Sequence, residues 1–560
     1  MSQISGGALF GKALANEGIE KAFVLCGGHI MPIFYGMRQV GIEIIDMRHE
    51  ANAMYAAIAY TRATGKPAVV VTTAGPGILN TTPGMVEALE LGVPVLHIGG
   101  AVATNTRDSG PLQDMSTMAV MESCSKWARK VTNTARIPEY VNLALRQATD
   151  LTPGPVYLEV PQDIPLMKVE ESGVRFPLRN RTNAIPFGDP SLVDAAAKLL
   201  AEAERPAAII GDGSRFTIGD RAGDLAALSE YLKMPMGVLA MPCRGLFGNE
   251  SKNPLLRANA IGRADVVLAM GCRFDFRMGM GRMVPPDARV IQVHTDMRQI
   301  GFNVRADIGI VGGTGPVGSQ LLAAVKSKRA KPAQTSWMGE PLGSGIANLP
   351  EEYRAKGIPV HPARCAGEVA KFLAEEGRDW NVVIDGGEAA TWMVRGTTAT
   401  RPGQIYGGSA LGMIGEGPAN TIGAWVANRK PVLWYTGDGS FGFYAMEMDT
   451  MARLGIPVVC VISNDSGWGM IKLEQKYTWA KEVETRGQCN TELHPMRAYE
   501  KMAAMWDGHG EMVKDPDEII PAIRRAMANG KPSIVNVEVD QESISPFMAG
   551  VKNRVNVFSL

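Results

Sequence analysis

The chain has 560 residues with 57 basic and 57 acidic side chains, so its formal net charge is zero. A neutral chain has no overall charge with which to attract nucleic acid or an anionic membrane surface. Hydrophobic residues make up 46% and charged residues 20%, which excludes disorder of the whole chain and is typical of large buried cores. The seven cysteines lack paired spacing, the first twenty residues indicate an amphipathic helix, and no apolar run reaches membrane-spanning length. We therefore expect a cytoplasmic protein with free thiols.

Short runs of β-branched residues alternate with helical stretches along almost the whole chain. The clearest runs are residues 69–73, 95–99, 207–211, 266–271, 382–385, 432–436 and 458–463. They are continuously apolar, which is typical of strands covered on both faces. Strands of this kind alternating with helices predict an α/β protein built from three doubly wound, parallel-sheet domains.

Two loop-like stretches divide the sequence into blocks of similar size. The first covers residues 171–190, and the second, rich in Lys, Pro, Gly and Ser, runs from 326 to about 362. These stretches predict an N-terminal domain at 1–170, a central domain at 188–330 and a C-terminal domain at 360–545.

Two aspartates follow neighbouring strands of the C-terminal block. Asp438 lies in Gly437-Asp438-Gly439-Ser440 after the run 432–436, and Asp465 follows the run 458–463. Because parallel strands end at the same edge of a sheet, we expect the two carboxylates to lie close together. Two carboxylates with a backbone carbonyl suit Mg²⁺, and the glycines allow backbone amides to approach phosphate. Alternatively, Asp438 caps the next helix and Asp465 closes a turn.

This spacing resembles the thiamine-diphosphate (ThDP) signature of enzymes of the pyruvate-oxidase type. Three further segments resemble the same family: Arg48-His49-Glu50 before an alanine-rich helix, Thr73-Ala74-Gly75-Pro76-Gly77 with Asn80, and the glycine-rich residues 406–417. The resemblance extends over essentially the full length and includes acetolactate synthases, benzaldehyde lyase and 2-hydroxyacyl-CoA lyases. It implies the pyruvate-oxidase-like ThDP-binding fold.

The resemblance also implies a role for individual residues. Glu50 corresponds to the glutamate that hydrogen-bonds N1′ of the aminopyrimidine. Gly412 corresponds to the carbonyl that accepts from its 4′-amino group, and Ile414, next to Met413, to the apolar support of the bent cofactor. Independently of the family, Glu50 opens a predicted helix, so it could also be an ordinary helix-start glutamate.

At the diphosphate end, the resemblance implies Mg²⁺ ligands from Asp438, Asp465 and the carbonyl of Gly467. Gly437, Gly439 and Ser440 would line the diphosphate. Relatives mostly carry Asn where this chain has Asp465, and the added negative charge should tighten metal binding.

His29 and Gln113 are the candidate proton-transfer groups. His29 lies in Cys26-Gly27-Gly28-His29, a context that resembles benzaldehyde lyase, whereas acetolactate synthases have a small residue there. Gln113 corresponds to a glutamine that relatives point into the pocket. Histidine titrates near working pH and can relay protons to a substrate hydroxyl or carbonyl. The alternatives are a capping or core histidine and a loop amide.

We therefore expect a ThDP- and Mg²⁺-dependent lyase or carboligase acting on 2-oxo acids or 2-hydroxy carbonyl compounds. One alternative is a 2-hydroxyacyl-CoA lyase or oxalyl-CoA-type decarboxylase, and another is an FAD-dependent pyruvate oxidase. A ThDP-binding scaffold without turnover is a third. The family places Glu50 and the diphosphate loops on different subunits, which implies a homodimer or homotetramer acting on small molecules, without nucleic acid or membrane partners.

FAD is an alternative cofactor for the central block. Arg273-Phe274-Asp275 resembles a turn of the flavin-carrying synthases, although several relatives lack the flavin. The glycine motif at residues 313–318 also fits a dinucleotide fingerprint, but a basic, proline-bearing stretch follows where that fingerprint needs an acid. We interpret it as a turn into a helix at 320–326.

Overall fold

The computed structural model describes residues 2–178, 182, 184–253, 255–257, 260–338, 349–408 and 411–552. Two compact units are present. The first contains most described residues up to 338, and the second contains 244–253, 349–408 and 412–552. No helix in the described part is long and apolar enough to cross a membrane.

The N-terminal part of the first unit is a parallel sheet flanked by helices. Its strands are β1 (Gln3–Ser5), β2 (Lys21–Val24), β3 (Glu43–Asp46), β4 (Ala68–Thr72), β5 (Val95–Ala101), β6 (Trp127–Lys130), β7 (Val156–Pro161) and β8 (Lys168–Glu170). Its helices are α1 (Gly6–Asn16), α2 (Met31–Gln39), α3 (Glu50–Thr64), α4 (Pro76–Leu79), α5 (Thr82–Leu91), α6 (Met118–Cys124), α7 (Ile137–Ala148) and α8 (Asp163–Leu166). Six strands pair in the order β3-β2-β4-β5-β7-β6, while β1 and β8 form a short antiparallel pair.

The central part of the first unit is a second parallel sheet. Its strands are β9 (Pro206–Ile210), β10 (Met236–Val238), β11 (Val266–Met270), β12 (Arg289–His294) and β13 (Ile308–Val311), and its helices are α9 (Pro190–Glu202), α10 (Ala222–Leu232) and α11 (Thr314–Lys328). The strand order is β10-β9-β11-β12-β13. The glycine motif at 313–318 is the start of α11, which begins six residues before the predicted 320. A side chain on Gly315 would meet the carbonyl oxygen of Ile218, so this glycine serves helix packing.

The second unit contains the third parallel sheet. Its strands are β14 (Asn381–Ile384), β15 (Ile405–Tyr406), β16 (Val432–Gly437), β17 (Val458–Asn464), β18 (Gly510–Val513) and β19 (Ser533–Glu538). Its helices are α12 (Pro362–Glu375), α13 (Glu388–Gly396), α14 (Gly417–Asn428), α15 (Asp438–Tyr444), α16 (Glu447–Arg453), α17 (Gly469–Thr478), α18 (Ala480–Arg486), α19 (Ile519–Asn529) and α20 (Pro546–Lys552). The strand order is β15-β14-β16-β17-β19-β18.

A short segment of the second unit comes from the middle of the sequence. Glu250, 3% exposed, pairs with Arg244 and accepts a 2.9 Å hydrogen bond from the amide of Ala399. Arg244 also donates to the carbonyl of Thr397 at 2.7 Å. Residues 244–253 therefore pack with the stretch that follows α13, although they lie between β10 and β11 in the chain.

The predicted α/β class with three parallel-sheet domains is confirmed. Strands β4, β11 and β17 are buried along their whole lengths, because each is covered on both faces by helices. The N-terminal and C-terminal sheets share one strand order, and in all three sheets the direction of winding reverses between the first and third strands. Ligands of open α/β sheets bind outside the carboxyl ends of the strands at such reversals. Three pairs of loops are therefore candidate ligand-binding loops: those after β2 and β4, after β9 and β11, and after β14 and β16.

Candidate functional site

Glu50 lies buried at the reversal of the N-terminal sheet. It is the first residue of α3, whose preceding residue His49 accepts from the amide of Ala51 and caps the helix. Glu50 is 7% exposed, and its Oε2 accepts a 2.9 Å hydrogen bond from the side-chain amide of Asn80. Its Oε1 faces Gly77, where an added Cβ would lie 3.4 Å away. The structure thus presents a buried carboxyl group with one oxygen bonded to Asn80 and the other facing the backbone of Gly77.

His29 is buried between the carboxyl ends of β2 and β5. It is 9% exposed, and a Cβ on Gly100 in β5 would come within 2.8 Å of its own Cβ. Burial lowers the pKa of the imidazole below its ordinary value of 6.5, so the ring is neutral at working pH. Its Nδ1 lies 3.1 Å from Oγ1 of Thr73, the residue that follows β4.

Gln113 reaches the same hydroxyl from a loop after β5. Thr73 Oγ1 donates to Gln113 Oε1 at 3.4 Å. The backbone of Gln113 has φ of +66°, a conformation that costs a non-glycine residue energy. Its backbone packs on Gly75, where a Cβ would lie 3.1 Å from the Gln113 carbonyl oxygen. The structure therefore connects His29, Thr73 and Gln113 in one chain of hydrogen bonds, and Gly77 separates Thr73 from Glu50. The sequence indicated Thr73 only as part of a turn.

At the reversal of the C-terminal sheet, Asp438 begins α15 and Asp465 follows β17. The two strands pair so that Gly437 lies opposite Ser463. Asp438 is 2% exposed, and its Oδ1 is buried without a hydrogen-bond partner. Burial, and then the neighbouring Asp465 carboxylate, raise the pKa of Asp438, and burial also raises that of Asp465. Two buried carboxylates that repel each other, one with an unused oxygen, fit a divalent cation.

The loop between Asp465 and α17 is held in a defined shape. Asn464 Oδ1 accepts from the amide of Ser466, whose φ is +55°, and the amide of Trp468 donates to the carbonyl of Thr491 at 2.8 Å. The loop leaves the backbone of Gly467 beside the aspartate pair. No group of three or more His, Cys, Asp and Glu side chains able to hold a metal occurs in the described parts of the chain. A cation here would take two side-chain ligands and complete its shell with backbone and ligand oxygens.

Small residues surround Asp438. Gly437 ends β16, and a Cβ on Gly439 would lie 2.8 Å from the ring of Trp468. Ser440 is buried in the first turn of α15. This helix has seven residues, and its first turn carries glycine and serine beside Asp438.

The glycine-rich loop at 411–417 depends on a residue that the sequence did not single out. Asp385, directly after β14, accepts hydrogen bonds from the amides of Gly415 and Gly417 at 3.0 and 3.1 Å. Burial raises the pKa of Asp385 to about 6. Gly412 has φ of +69° with open space around it, and the side chains of Met413 and Ile414 are partly buried. Ser409 and Ala410 of the predicted loop lie outside the described residues.

Glu388 is a second residue that sequence reasoning missed. It begins α13 and accepts from both the amide and the hydroxyl of Ser545, at 2.7 and 2.9 Å. Ser545 in turn accepts from the amide of Met548, whose side chain is buried against Leu473 in α17. Burial raises the pKa of Glu388 to about 7. The C-terminal segment is thereby attached to the two elements that flank the aspartate pair.

A network of ion pairs lies at the reversal of the central sheet. The Asp212 carboxylate, after β9, pairs with Arg277 at 2.8 Å and with Arg62 at 3.5 Å, and Arg277 also pairs with Asp275. The amide of Gly213 donates to the carbonyl of Gly271, which closes the loops after β9 and β11 on each other. An anionic diphosphate in this crevice would compete with Asp212 for both guanidinium groups.

Comparison with known proteins agrees with this geometry. The sequence matches family models for the thiamine pyrophosphate enzyme N-terminal TPP binding domain over residues 4–120, the central domain over 193–321 and the C-terminal TPP binding domain over 385–537. The Glu50 and His29 region lies in the first match, and the aspartate pair lies in the third.

Full-length relatives belong to two groups. A probable acetolactate synthase of Mycobacterium bovis is 31% identical over 555 residues, covering 96% of each chain. The 2-hydroxyacyl-CoA lyase 2 of Bos taurus is 28% identical, covering 95% of this chain and 89% of the relative, and the human 2-hydroxyacyl-CoA lyase 1 is 27% identical, covering 97% and 95%. The chain therefore belongs to the thiamine-diphosphate-dependent enzymes.

Proposed function

We propose that this enzyme uses ThDP anchored by Mg²⁺ to break and form a C–C bond in 2-hydroxy carbonyl compounds. The bond is the one between the carbonyl carbon and the hydroxyl-bearing carbon. The observation that carries the proposal is the buried, neutral His29, linked to Gln113 through Thr73, which packs against Gly77 beside Glu50. Cleavage of such a bond requires removal of the hydroxyl proton, and a neutral imidazole in a buried site can accept it.

The residues at the two sheet reversals would hold the cofactor. Glu50 would hydrogen-bond the aminopyrimidine ring. By the family resemblance, Gly412, Met413 and Ile414 would supply the carbonyl for its amino group and the apolar support of the bent cofactor. Mg²⁺ would take Asp438, Asp465 and the Gly467 carbonyl, and the backbone around Gly437, Gly439 and Ser440 would face the diphosphate. When bound, ThDP supplies a nucleophilic carbon and accepts the electron pair of the broken C–C bond.

The side chains of this enzyme then handle the protons. Glu50 would present Oε1 to the aminopyrimidine ring, because Oε2 is engaged by Asn80. His29 takes the hydroxyl proton of the substrate. Gln113, fixed by its strained backbone, orients the hydroxyl of Thr73 and limits the space on that side of the pocket.

A second candidate is acetolactate-synthase-like carboligation of 2-oxo acids, which the 31% identity to the Mycobacterium bovis relative favours. In that reaction the donor loses CO₂, and no donor hydroxyl has to be deprotonated. Cleavage of 2-hydroxyacyl-CoA is a variant of the main proposal, because its bond and hydroxyl have the same arrangement.

The test is a substrate panel with enzyme reconstituted with ThDP and Mg²⁺. Benzoin, a short 2-hydroxy ketone, a 2-hydroxyacyl-CoA and pyruvate should be compared in wild type and in His29→Ala. We expect release of aldehyde from one of the 2-hydroxy carbonyl compounds, and loss of that release in His29→Ala. Acetolactate formation from pyruvate without any cleavage would instead select the second candidate.

The flavin-dependent oxidase alternative is disfavoured by the central crevice. Because Asp212 occupies it, we expect the purified protein to be colourless and to leave the fluorescence polarisation of added FAD unchanged. A yellow protein with a flavin absorbance spectrum would contradict this expectation.

A further inference from the structure

We propose that Thr73 is a positioning residue that fixes the tautomer of His29, so that Nδ1 carries the proton and Nε2 is the base that meets the substrate. This inference rests on the proposed function, since it concerns how His29 performs the deprotonation assigned to it.

The hydroxyl of Thr73 lies between Gln113 and His29. A hydroxyl has a single proton to donate, together with lone pairs that accept. Thr73 Oγ1 has two side-chain neighbours, Gln113 Oε1 at 3.4 Å and His29 Nδ1 at 3.1 Å. An amide oxygen can only accept, so the hydroxyl proton points to Gln113. The same hydroxyl must then accept from His29, which requires the proton of the imidazole to be on Nδ1.

Nε2 is the ring nitrogen of His29 that remains for the substrate. A neutral imidazole has one N–H, and burial keeps His29 neutral. With the proton on Nδ1, Nε2 keeps its lone pair and can accept the substrate's hydroxyl proton. When it does, Nδ1–H still donates to Thr73, so the imidazolium retains its hydrogen bond. This is the arrangement by which an orienting partner prepares a histidine base.

The packing of Thr73 explains why its hydroxyl keeps this direction. A Cβ on Gly27, in the loop after β2, would lie 2.3 Å from the Cβ of Thr73. A Cβ on Gly77, at the start of α4, would lie 2.8 Å from its methyl group. The side chain thus packs closely against two glycines from different loops, which restricts rotation about its Cα–Cβ bond.

The chain contains a matched control one residue earlier. Thr72 Oγ1 lies 2.9 Å from Nε2 of His97, which is fully buried and packs against Tyr157 in a tilted arrangement. Thr72→Val therefore removes a threonine–histidine hydrogen bond of the same kind, at the adjacent residue and at a histidine that the mechanism does not use.

The direct test is ¹⁵N NMR of histidine-labelled protein without substrate, with His29→Ala used to assign the His29 signals. We expect the wild type and Thr73→Ser to show Nδ1 protonated and Nε2 unprotonated, and Thr73→Val to lose this preference. Thr72→Val should leave the His29 signals unchanged. Protonation at Nε2 in the wild type would overturn the proposal.

The kinetic test separates positioning from a structural role. Thr73→Val should lower kcat for cleavage by roughly 10–100-fold, the usual effect of removing an orienting partner, with little change in KM or in ThDP affinity. Thr73→Ser should restore most of the rate, and unchanged kcat in Thr73→Val would overturn the inference. Because the NMR measurement needs no turnover, failure of the substrate panel would reject the proposed function without deciding the tautomer.

Discussion

The candidate site residues form two pairs that differ in their hydrogen bonding and charge: Glu50 with His29, and Asp438 with Asp465. Glu50 and His29 are buried, and each has one atom engaged by a neighbouring polar side chain and another left for a ligand. Asp438 and Asp465, by contrast, are two buried carboxylates that repel each other. We propose proton transfer for the first pair and metal binding for the second.

The contribution of His29 should appear in both rate and pH dependence. His29→Ala should lower kcat for cleavage by roughly 10²–10⁴, the usual contribution of a general acid–base group. In the wild type, kcat/KM should fall as the pH falls through an apparent pKa below 6.5, because burial lowers the pKa and only the neutral ring accepts a proton. This acid limb should disappear in His29→Ala, and ThDP affinity should change little. Cleavage at the wild-type rate would make His29 a structural residue.

For the aspartate pair, we predict that Asp438→Ala raises the Tm relative to the wild type without Mg²⁺ and lowers it relative to the wild type with Mg²⁺ and ThDP. Without Mg²⁺, Asp438→Ala should raise the Tm, because it removes one of two mutually repelling buried carboxylates. With Mg²⁺ and ThDP, the wild type should be stabilised and the variant should not. Asp465→Asn should keep most of the ligand-induced shift, since the amide oxygen still binds the cation. A full ligand-induced shift in Asp438→Ala would exclude the proposed ligand.

At the scale of elements, sheet reversals explain which loops matter. The runs that became β16 and β17 were visible in the sequence, and so was the position of an aspartate after each. Thr73, Asp385 and Glu388 could not be identified in this way, because their partners are 30 to 157 residues away in the chain. A single sequence shows which residues end strands, but not which distant loop they meet. The roles assigned to the predicted site residues stay predictions until the variants are measured.

The attachment of α20 is testable through Ser545, which caps this helix and donates to Glu388. Ser545→Ala should cost the C-terminal segment about 1–2 kcal/mol, because it removes a cap and leaves a buried carboxyl oxygen unpaired. Hydrogen–deuterium exchange should therefore accelerate in α20 and not in β16. Ser543→Ala is the control, since its hydroxyl donates to the nearby Asp540. Unchanged protection of α20 would show that Leu473 and Met548 hold it without the cap.

At the scale of the whole molecule, the distribution of thiols is a test of the fold. All seven cysteines are unpaired; Cys26 and Cys489 are exposed and the other five are buried. Burial raises the pKa of the Cys243, Cys272 and Cys365 thiols to about 12, so the reactive thiolate is scarce there. In the native protein two thiols should react quickly with a thiol reagent, and all seven should react after unfolding without reductant. A disulfide-linked peptide in the unreduced protein would contradict this.

We also propose that the enzyme is a homodimer or homotetramer. The N-terminal sheet leaves large apolar side chains exposed, among them Tyr35 at 58% and Leu112 at 80%. Leu112 is next to Gln113, so an interface there would shield the candidate site from water. Mass photometry should give a species of at least twice 60.0 kDa. A monomer that cleaves substrate would exclude this arrangement.

The segment at residues 244–253 limits how such an enzyme can be recombined. A chimera joined in the linker after residue 330 would combine this segment from one parent with the stretch after α13 from the other. Arg244 and Glu250 would then face a foreign backbone at Thr397 and Ala399. The ion pair itself would be kept, but its hydrogen bonds to that backbone would depend on how the two parents match. Because buried polar groups left without a partner are costly, we expect exchange of the C-terminal domain to require moving the ten-residue segment with it. The three parallel-sheet domains therefore cannot be exchanged independently by cutting the chain only at its linkers.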